Sequence, residues 1–169
     1  MSLNNLLVEE AQIVAAIIPV DSQSGANNGD WVSMKGYDRL TVLIFKAAGV
    51  AGDDPVLTVK QASDVSGTGA KALNFTRIDA KVGAQTGIGT FTTVTQAAGN
   101  TYTDTASAEA QALWAIEFKS EDLDVNNGFD CVQISVPDTG SGGAQLLCAL
   151  YVLRGARYGS VPTPSAIVD

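Results

Sequence analysis

Short apolar runs separated by turn residues are the main pattern along this chain. The segments Val56–Ala62 and Leu113–Lys119 alternate apolar and polar residues with a period of two, as a strand with one buried face does. In the second segment, the alternation places Trp114, Ile116 and Phe118 together on one face. Because no amphipathic pattern of normal helix length competes with these runs, we predict an all-β protein.

The other predicted strands are apolar runs of similar length. They are rich in β-branched and aromatic residues and lie between clusters of Gly, Asn, Asp and Ser. They are Gln12–Val20, Leu40–Lys46, Leu73–Ile78, Thr90–Thr95, Asp130–Val136 and Gln145–Arg154. Altogether about eight to nine short antiparallel strands are expected, forming a β-sandwich or a jelly-roll-like barrel. The Gly-rich link Pro137–Gly143 predicts a hairpin between the last two strands.

The two ends of the chain differ from its middle. We predict an N-terminal arm over residues 1–11, a β-sandwich domain over 12–154 and an extended C-terminal arm over 155–169. Two interpretations of the C-terminal arm stay open: a disordered terminus, or an arm that docks on a neighbouring subunit. Prolines favour an extended backbone just before them, and the arm has apolar residues at its end. The predicted interaction residues are Tyr158, Val161, Pro162, Pro164, Ile167 and Val168.

Composition excludes several classes of chemistry. The 169 residues include no histidine, two cysteines, 10 Lys and Arg and 18 Asp and Glu, for a formal net charge of -8. Without histidine there is no Ser-His-Asp or Cys-His catalysis and no His-ligated zinc. Two cysteines cannot supply a four-thiolate metal site. The acidic balance argues against nucleic-acid binding, and no apolar run is long enough for a membrane-spanning helix.

The cysteines are expected to be buried thiols. The start of the chain, Met1–Glu10, lacks the basic region of a secretory signal, so we expect synthesis and residence in a cytosol-like compartment, where thiols stay reduced. Cys131 and Cys148 lie on the two predicted final strands. A hairpin between those strands would make them diagonal neighbours, and a disulfide would need a shift of register.

The acidic segment Glu121–Asp130 is a candidate calcium loop. Counted from Asp122, Asn127 takes the sixth place, where an EF-hand loop needs Gly, and Gln133 takes the twelfth, where it needs Glu. The alternative is a turn between strands, in which Gly128 adopts a left-handed backbone. The turn fits better, and we predict no metal ion and no cofactor.

The remaining candidates do not predict an enzyme. Asp53 and Asp54 are adjacent on a Gly-rich loop, where carboxylates are usually solvated rather than tuned for acid/base catalysis. The Gly-rich loops 83–89 and 140–143 lack the Lys-Ser/Thr of a phosphate-binding loop. Trp31 or Trp114 would suit a carbohydrate platform if exposed, but each fits a core position better.

An ordered set of turn-and-strand motifs carries a family resemblance. Tyr37-Asp38-Arg39 leads into an apolar strand, Ser63-Asp64 follows the next strand, Gly67-Thr68-Gly69 comes after it, and Asp122–Phe129 (DLDVNNGF) leads into the penultimate strand. This order resembles small structural proteins of tailed-bacteriophage virions, in particular head decoration (capsid cement) proteins. The resemblance to these proteins covers residues 30–154.

The resemblance implies a structural function. It implies a non-enzymatic protein that stabilises the head by bridging major capsid subunits and forms a homo-oligomer, a trimer, with no nucleic-acid or membrane partner. Such a protein would be made in the host cytoplasm and lie on the outer surface of the head, where net negative charge suits a position away from the genome. The alternatives are a tail, connector or fibre-associated component, or a carbohydrate- or receptor-binding β-sandwich.

Overall fold

Within the residues that the computed structural model describes, 6–105, 110–140, 142–158 and 165–167, the chain is almost entirely β-structure. In this described part of the chain, two one-turn helices, α1 (Leu7–Glu10) and α2 (Gln85–Ile88), and three short 3-10 turns interrupt the strands. Neither helix is long and apolar enough to cross a membrane. The strands are β1 (Ala11–Asp21), β2 (Asn27–Asn28), β3 (Val32–Ser33), β4 (Tyr37–Lys46), β5 (Val56–Ala62), β6 (Lys71–Ala72), β7 (Phe75–Val82), β8 (Thr92–Gly99), β9 (Thr101–Thr103), β10 (Ala112–Lys119), β11 (Cys131–Val136) and β12 (Leu146–Ala156).

These strands form two antiparallel sheets that pack as a sandwich. The larger sheet has the order β1-β12-β4-β10-β7-β8. The smaller sheet has the order β2-β11-β5-β6, with β3 also pairing with β11 and β9 also pairing with β5. The predicted all-β sandwich is therefore confirmed. The strand count exceeds the prediction because β2, β3, β6 and β9, of two or three residues each, are too short for a periodic pattern.

The predicted hairpin between the last two strands is wrong. Strand β11 belongs to the smaller sheet and β12 to the larger one, so residues 137–145 connect the two layers. The predicted juxtaposition of the cysteines fails with it. Cys131 lies opposite Ser33 and Ala62, whereas Cys148 lies opposite Phe45. Both are free thiols, as expected. Cys131 is buried, whereas Cys148 is half-buried.

Strand β1 continues through Pro19. It occupies the edge of the larger sheet, where a residue without an N–H group is tolerated. Its ladder with β12 shifts register between Ala15 and Ile17 and again between Ile17 and Val20. The second shift spans Pro19, so the edge absorbs the proline through a local irregularity.

The core fills the space between the inner faces of the two sheets. The alternation predicted for β10 is confirmed, because Trp114, Ile116 and Phe118 are all almost fully buried. The ring of Phe118 packs edge-to-face on Phe75 with centroids 6.1 Å apart. The other layer contributes the central residues of β5 and β11. Its fully buried side chains include Leu57, Val59, Val132, Ile134 and Val136.

A buried tyrosine hydroxyl connects the two layers. Tyr151 of β12 accepts a hydrogen bond from the Ile134 N–H at 2.8 Å and donates one to the Asp30 carbonyl at 3.0 Å. β11 pairs with β3 through Val132 and with β2 from Ser135 onward, so Ile134 lies in the gap between these two short partners. The hydroxyl from the opposite sheet satisfies the backbone group in that gap, and burial raises the pKa of Tyr151.

Removing this hydroxyl should destabilise the fold. In Tyr151→Phe the Ile134 N–H and the Asp30 carbonyl lose their partner in the core. We expect the free energy of unfolding to fall by about 1–3 kcal/mol, the cost of a buried unsatisfied backbone group. Urea denaturation measures the change. The matched control is Tyr158→Phe at a tyrosine that is 79% exposed; an equal loss in both variants would contradict the bridging role.

Candidate interaction surface

Among the described residues, the outer face of the larger sheet carries a group of apolar side chains that are exposed or half-buried. It follows from the same alternation that builds the core, because neighbours of buried residues on β1, β4, β10 and β12 point outward. We call this group the apolar patch. Its residues are Ile13, Leu43, Phe45, Leu113, Leu146, Leu150 and Val152.

Strand register places the patch residues side by side. Leu150 lies opposite Leu43, and one step along the sheet Cys148 lies opposite Phe45, which in turn lies opposite Leu113. The side chain of Phe45 is 47% exposed and that of Leu150 is 40% exposed. Two rows of apolar residues therefore cross adjacent strands on a regular sheet surface.

A row of charged side chains borders the patch on the same face. Glu117 of β10 accepts hydrogen bonds from Arg39 of β4 at 3.2 Å and from Arg154 of β12 at 3.5 Å. Lys119 of β10 pairs with Glu121 at 3.2 Å. All of these side chains are substantially exposed, so a partner that covers the patch also meets this charged border.

A second charged group connects β7 and β8, the last two strands at one edge of the same sheet. Arg77 on β7 contacts both carboxylate oxygens of Asp79, and the Thr93 hydroxyl on β8 donates to Asp79 at 2.6 Å. The hydrogen bond from Arg77, supported by that from Thr93, lowers the pKa of Asp79 below its usual value. The contact to Thr93 links β8 to β7 in addition to their backbone pairing.

The acidic segment 121–130 forms the predicted turn. Gly128 has a φ of 79°, in the left-handed region. Asp124 pairs with Lys71 and accepts two hydrogen bonds from the Asn127 amide at 2.9 Å, and these partners hold the pKa of Asp124 low. The Lys71 ammonium also lies 3.8 Å from the centroid of the Phe129 ring. Among the described residues, no group of three metal-ligating side chains comes together.

The other sequence candidates lie apart from the patch. Asp53 accepts hydrogen bonds from the Gln23 amide at 2.6 Å and from the Gly142 N–H at 3.0 Å, so this carboxylate connects loops. Trp114 is buried in the core and cannot serve as a sugar platform. Trp31 is half-buried, and its indole nitrogen lies so close to Gly67 that a Cβ there would be 2.6 Å away.

The predicted interaction residues of the C-terminal arm are only partly described. Tyr158 is 79% exposed and Ile167 is 46% exposed, while Val161, Pro162, Pro164 and Val168 lie outside the described residues. Docking of Tyr158 and Ile167 on a neighbour stays a prediction.

In the described part of the C-terminal arm, one residue, Ala166, is buried, and no sequence pattern predicts this. Ala166 is 1% exposed, and its carbonyl accepts a hydrogen bond from the Ser33 N–H at 2.7 Å. In the sequence, nothing distinguishes Ala166 from the exposed alanines of the chain. Residues 165–167 therefore return to the chain's own sandwich beside β3.

No family model matches the sequence, and no curated protein matches it significantly. The structure is similar to the crystal structure of the SPBc2 prophage-derived protein YomS, with 13% sequence identity and a TM-score of 0.45. The match covers 85% of this chain and 93% of that chain.

Truncating one aromatic residue on each face of the larger sheet tests which face is uncovered. Phe118→Ala should lower the free energy of unfolding by about 3–5 kcal/mol because it leaves a cavity in the core. Phe45→Ala should change it by less than about 1 kcal/mol, as is usual at exposed positions. Urea denaturation of both variants at low protein concentration measures the difference. Similar losses would show that Phe45 is packed within the chain.

Proposed function

We propose that the chain is a non-enzymatic structural protein of a phage virion, acting as a capsid decoration protein that docks on major capsid subunits. The observation that carries this proposal is the apolar patch on the outer face of the larger sheet. Large side chains on a regular sheet surface suit binding to a second preformed surface, because little conformational entropy is lost when rigid elements meet.

The size of the patch supports a protein partner. Phe45, Leu146, Leu150 and Ile13 are each at least 40% exposed, and the half-buried patch residues extend the surface between them. Contiguous exposed apolar patches on monomeric proteins are often interaction sites. The charged border gives such an interface a polar rim.

The resemblance to decoration proteins supports the proposal that the particle is a phage virion. Its motifs occupy turns and strand starts: Tyr37 begins β4, Gly67 and Gly69 have φ values of 83° and 67°, and the segment from Asp122 leads into β11. The patch, on the outer face of β1, β12, β4 and β10, is a separate feature and supports docking.

The charge of the chain supports a position on the outside of the head. A net charge of -8 disfavours contact with the packaged genome and keeps the unassembled protein soluble. In this proposal the partners are the major capsid protein and further copies of this chain. The exposed arm residues Tyr158 and Ile167 are a second point of contact with a neighbouring subunit.

A tail, connector or fibre-associated position is the alternative within the same class. It would use the same patch on a different partner. Immunogold labelling of purified virions with antibodies to this chain separates the two positions: label over the heads supports decoration, and label confined to tails contradicts it.

Charge placed in the patch should weaken capsid binding. In Phe45→Glu/Leu150→Glu, two carboxylates would have to be desolvated at the interface. We expect at least tenfold weaker binding to capsids prepared without this chain, measured by co-sedimentation. The matched control is Val125→Glu, at an apolar residue that is 54% exposed but lies in the 125–127 turn away from the patch. Equal binding by the double variant and the natural chain would contradict docking through the patch.

A further inference from the structure

Among the described residues, strand β8 is an edge strand that pairs with β7 alone, and the other edge strands are short or contain proline. The smaller sheet ends in strands of two or three residues, β2, β3, β6 and β9. In the larger sheet, edge strand β1 contains Pro19 and two register shifts. Short length, proline and irregular pairing are the usual protections against pairing with another chain. β8, at the opposite edge of the larger sheet, has eight residues and no proline. Its ladder with β7 is regular over Thr92–Thr95 and shifts register once beyond Thr95, so the regular part of this edge is Thr92–Thr95.

The sequence around β8 also lacks charge. Residues 82–103 contain no Asp, Glu, Lys or Arg over 22 positions, although the chain carries 28 such residues in total. Charged side chains on an edge strand discourage strand addition. Thr92, Thr93 and Thr95 are exposed on β8, and threonine favours an extended, paired backbone.

Two exposed apolar side chains lie just before this edge. Ile88, at the end of α2, is 93% exposed, and Phe91 is 45% exposed with its ring 4.8 Å from the Lys81 ammonium. Backbone pairing alone gives modest stability in water. Apolar groups beside the edge supply additional surface for a partner to bury.

From these features we propose that β8 pairs with β8 of a second copy of this chain, antiparallel and about a two-fold axis. A two-fold contact brings a surface against itself, so a charged strand would place like charges opposite each other. β8 places threonine near threonine, a favourable cross-strand combination. Pairing would join two six-stranded sheets into one continuous sheet of twelve strands.

The proposed pairing specifies how the homo-oligomer of the proposed function forms, and to that extent it rests on the proposed function. The apolar patch lies on β1, β4, β10 and β12, whereas β8 forms the far edge of the same sheet. Pairing through β8 therefore leaves both patches uncovered, one at each end of the dimer. Two such patches allow one dimer to bridge two capsid subunits. The assembly is a dimer, in place of the trimer that the resemblance implies.

Sedimentation equilibrium of the full chain over a range of concentrations tests the pairing. The natural chain should reach twice the monomer mass. Thr92→Lys/Thr95→Lys introduces like charges across the two-fold axis, and Ile88→Glu removes an apolar contact without touching the β7–β8 ladder. Each should weaken dimerisation at least tenfold. The matched control is Thr103→Lys, at an exposed threonine on β9, which should dimerise like the natural chain.

Amide hydrogen exchange adds a readout at the strand itself. Protection of residues 92–95 should rise with protein concentration in the natural chain and in the control, but not in the β8 variants. A monomer at all concentrations, a trimer, or a dimer that both β8 variants leave intact would overturn the proposal. Capsid binding by the patch variants is a separate measurement, so failure of the pairing is distinguishable from failure of the proposed function.

Discussion

The relation between the two sheets depends on the gap in β11's pairing and on the side chain that fills it. β11 has two short partners on one side, β2 and β3, and between them the Ile134 N–H meets the Tyr151 hydroxyl of the opposite sheet. The same hydroxyl reaches the Asp30 carbonyl, while Gly29 donates to Ile134 and Asp30 donates to Ala16 of β1. A Cβ at Gly29 would lie 2.9 Å from the Ile134 oxygen, so only glycine fits this close approach.

That arrangement determines which residues remain outside. With Tyr151 directed into the core, alternation turns Leu150 and Val152 outward on β12, and register with β4 sets Leu43 beside Leu150. The apolar patch is thus the reverse side of the core-forming strands. A soluble sandwich usually carries polar residues on that side. Their replacement by Phe45, Leu113 and Leu150 is the feature that packing within one chain does not explain.

Much of the fold follows from the sequence, and the errors concern segments that meet across the fold from distant parts of the chain. The bounds of β5 match the prediction, and the inward face of β10 is the predicted one, because both depend on local alternation. The hairpin after β11 was predicted wrongly, since a Gly-rich link suits a crossing between layers as well as a tight turn. The patch and the buried Ala166 were also missed. Both depend on pairing between residues far apart in sequence, such as Ala15 with Leu150, which no local pattern encodes.

A cryo-electron microscopy reconstruction of the virion that carries this chain tests the central claim most directly. The account predicts density of this chain on the outside of the head, with the patch around Phe45 and Leu150 buried against a major capsid subunit. Density in which the outer face of the larger sheet points to solvent while another surface contacts the capsid would contradict it.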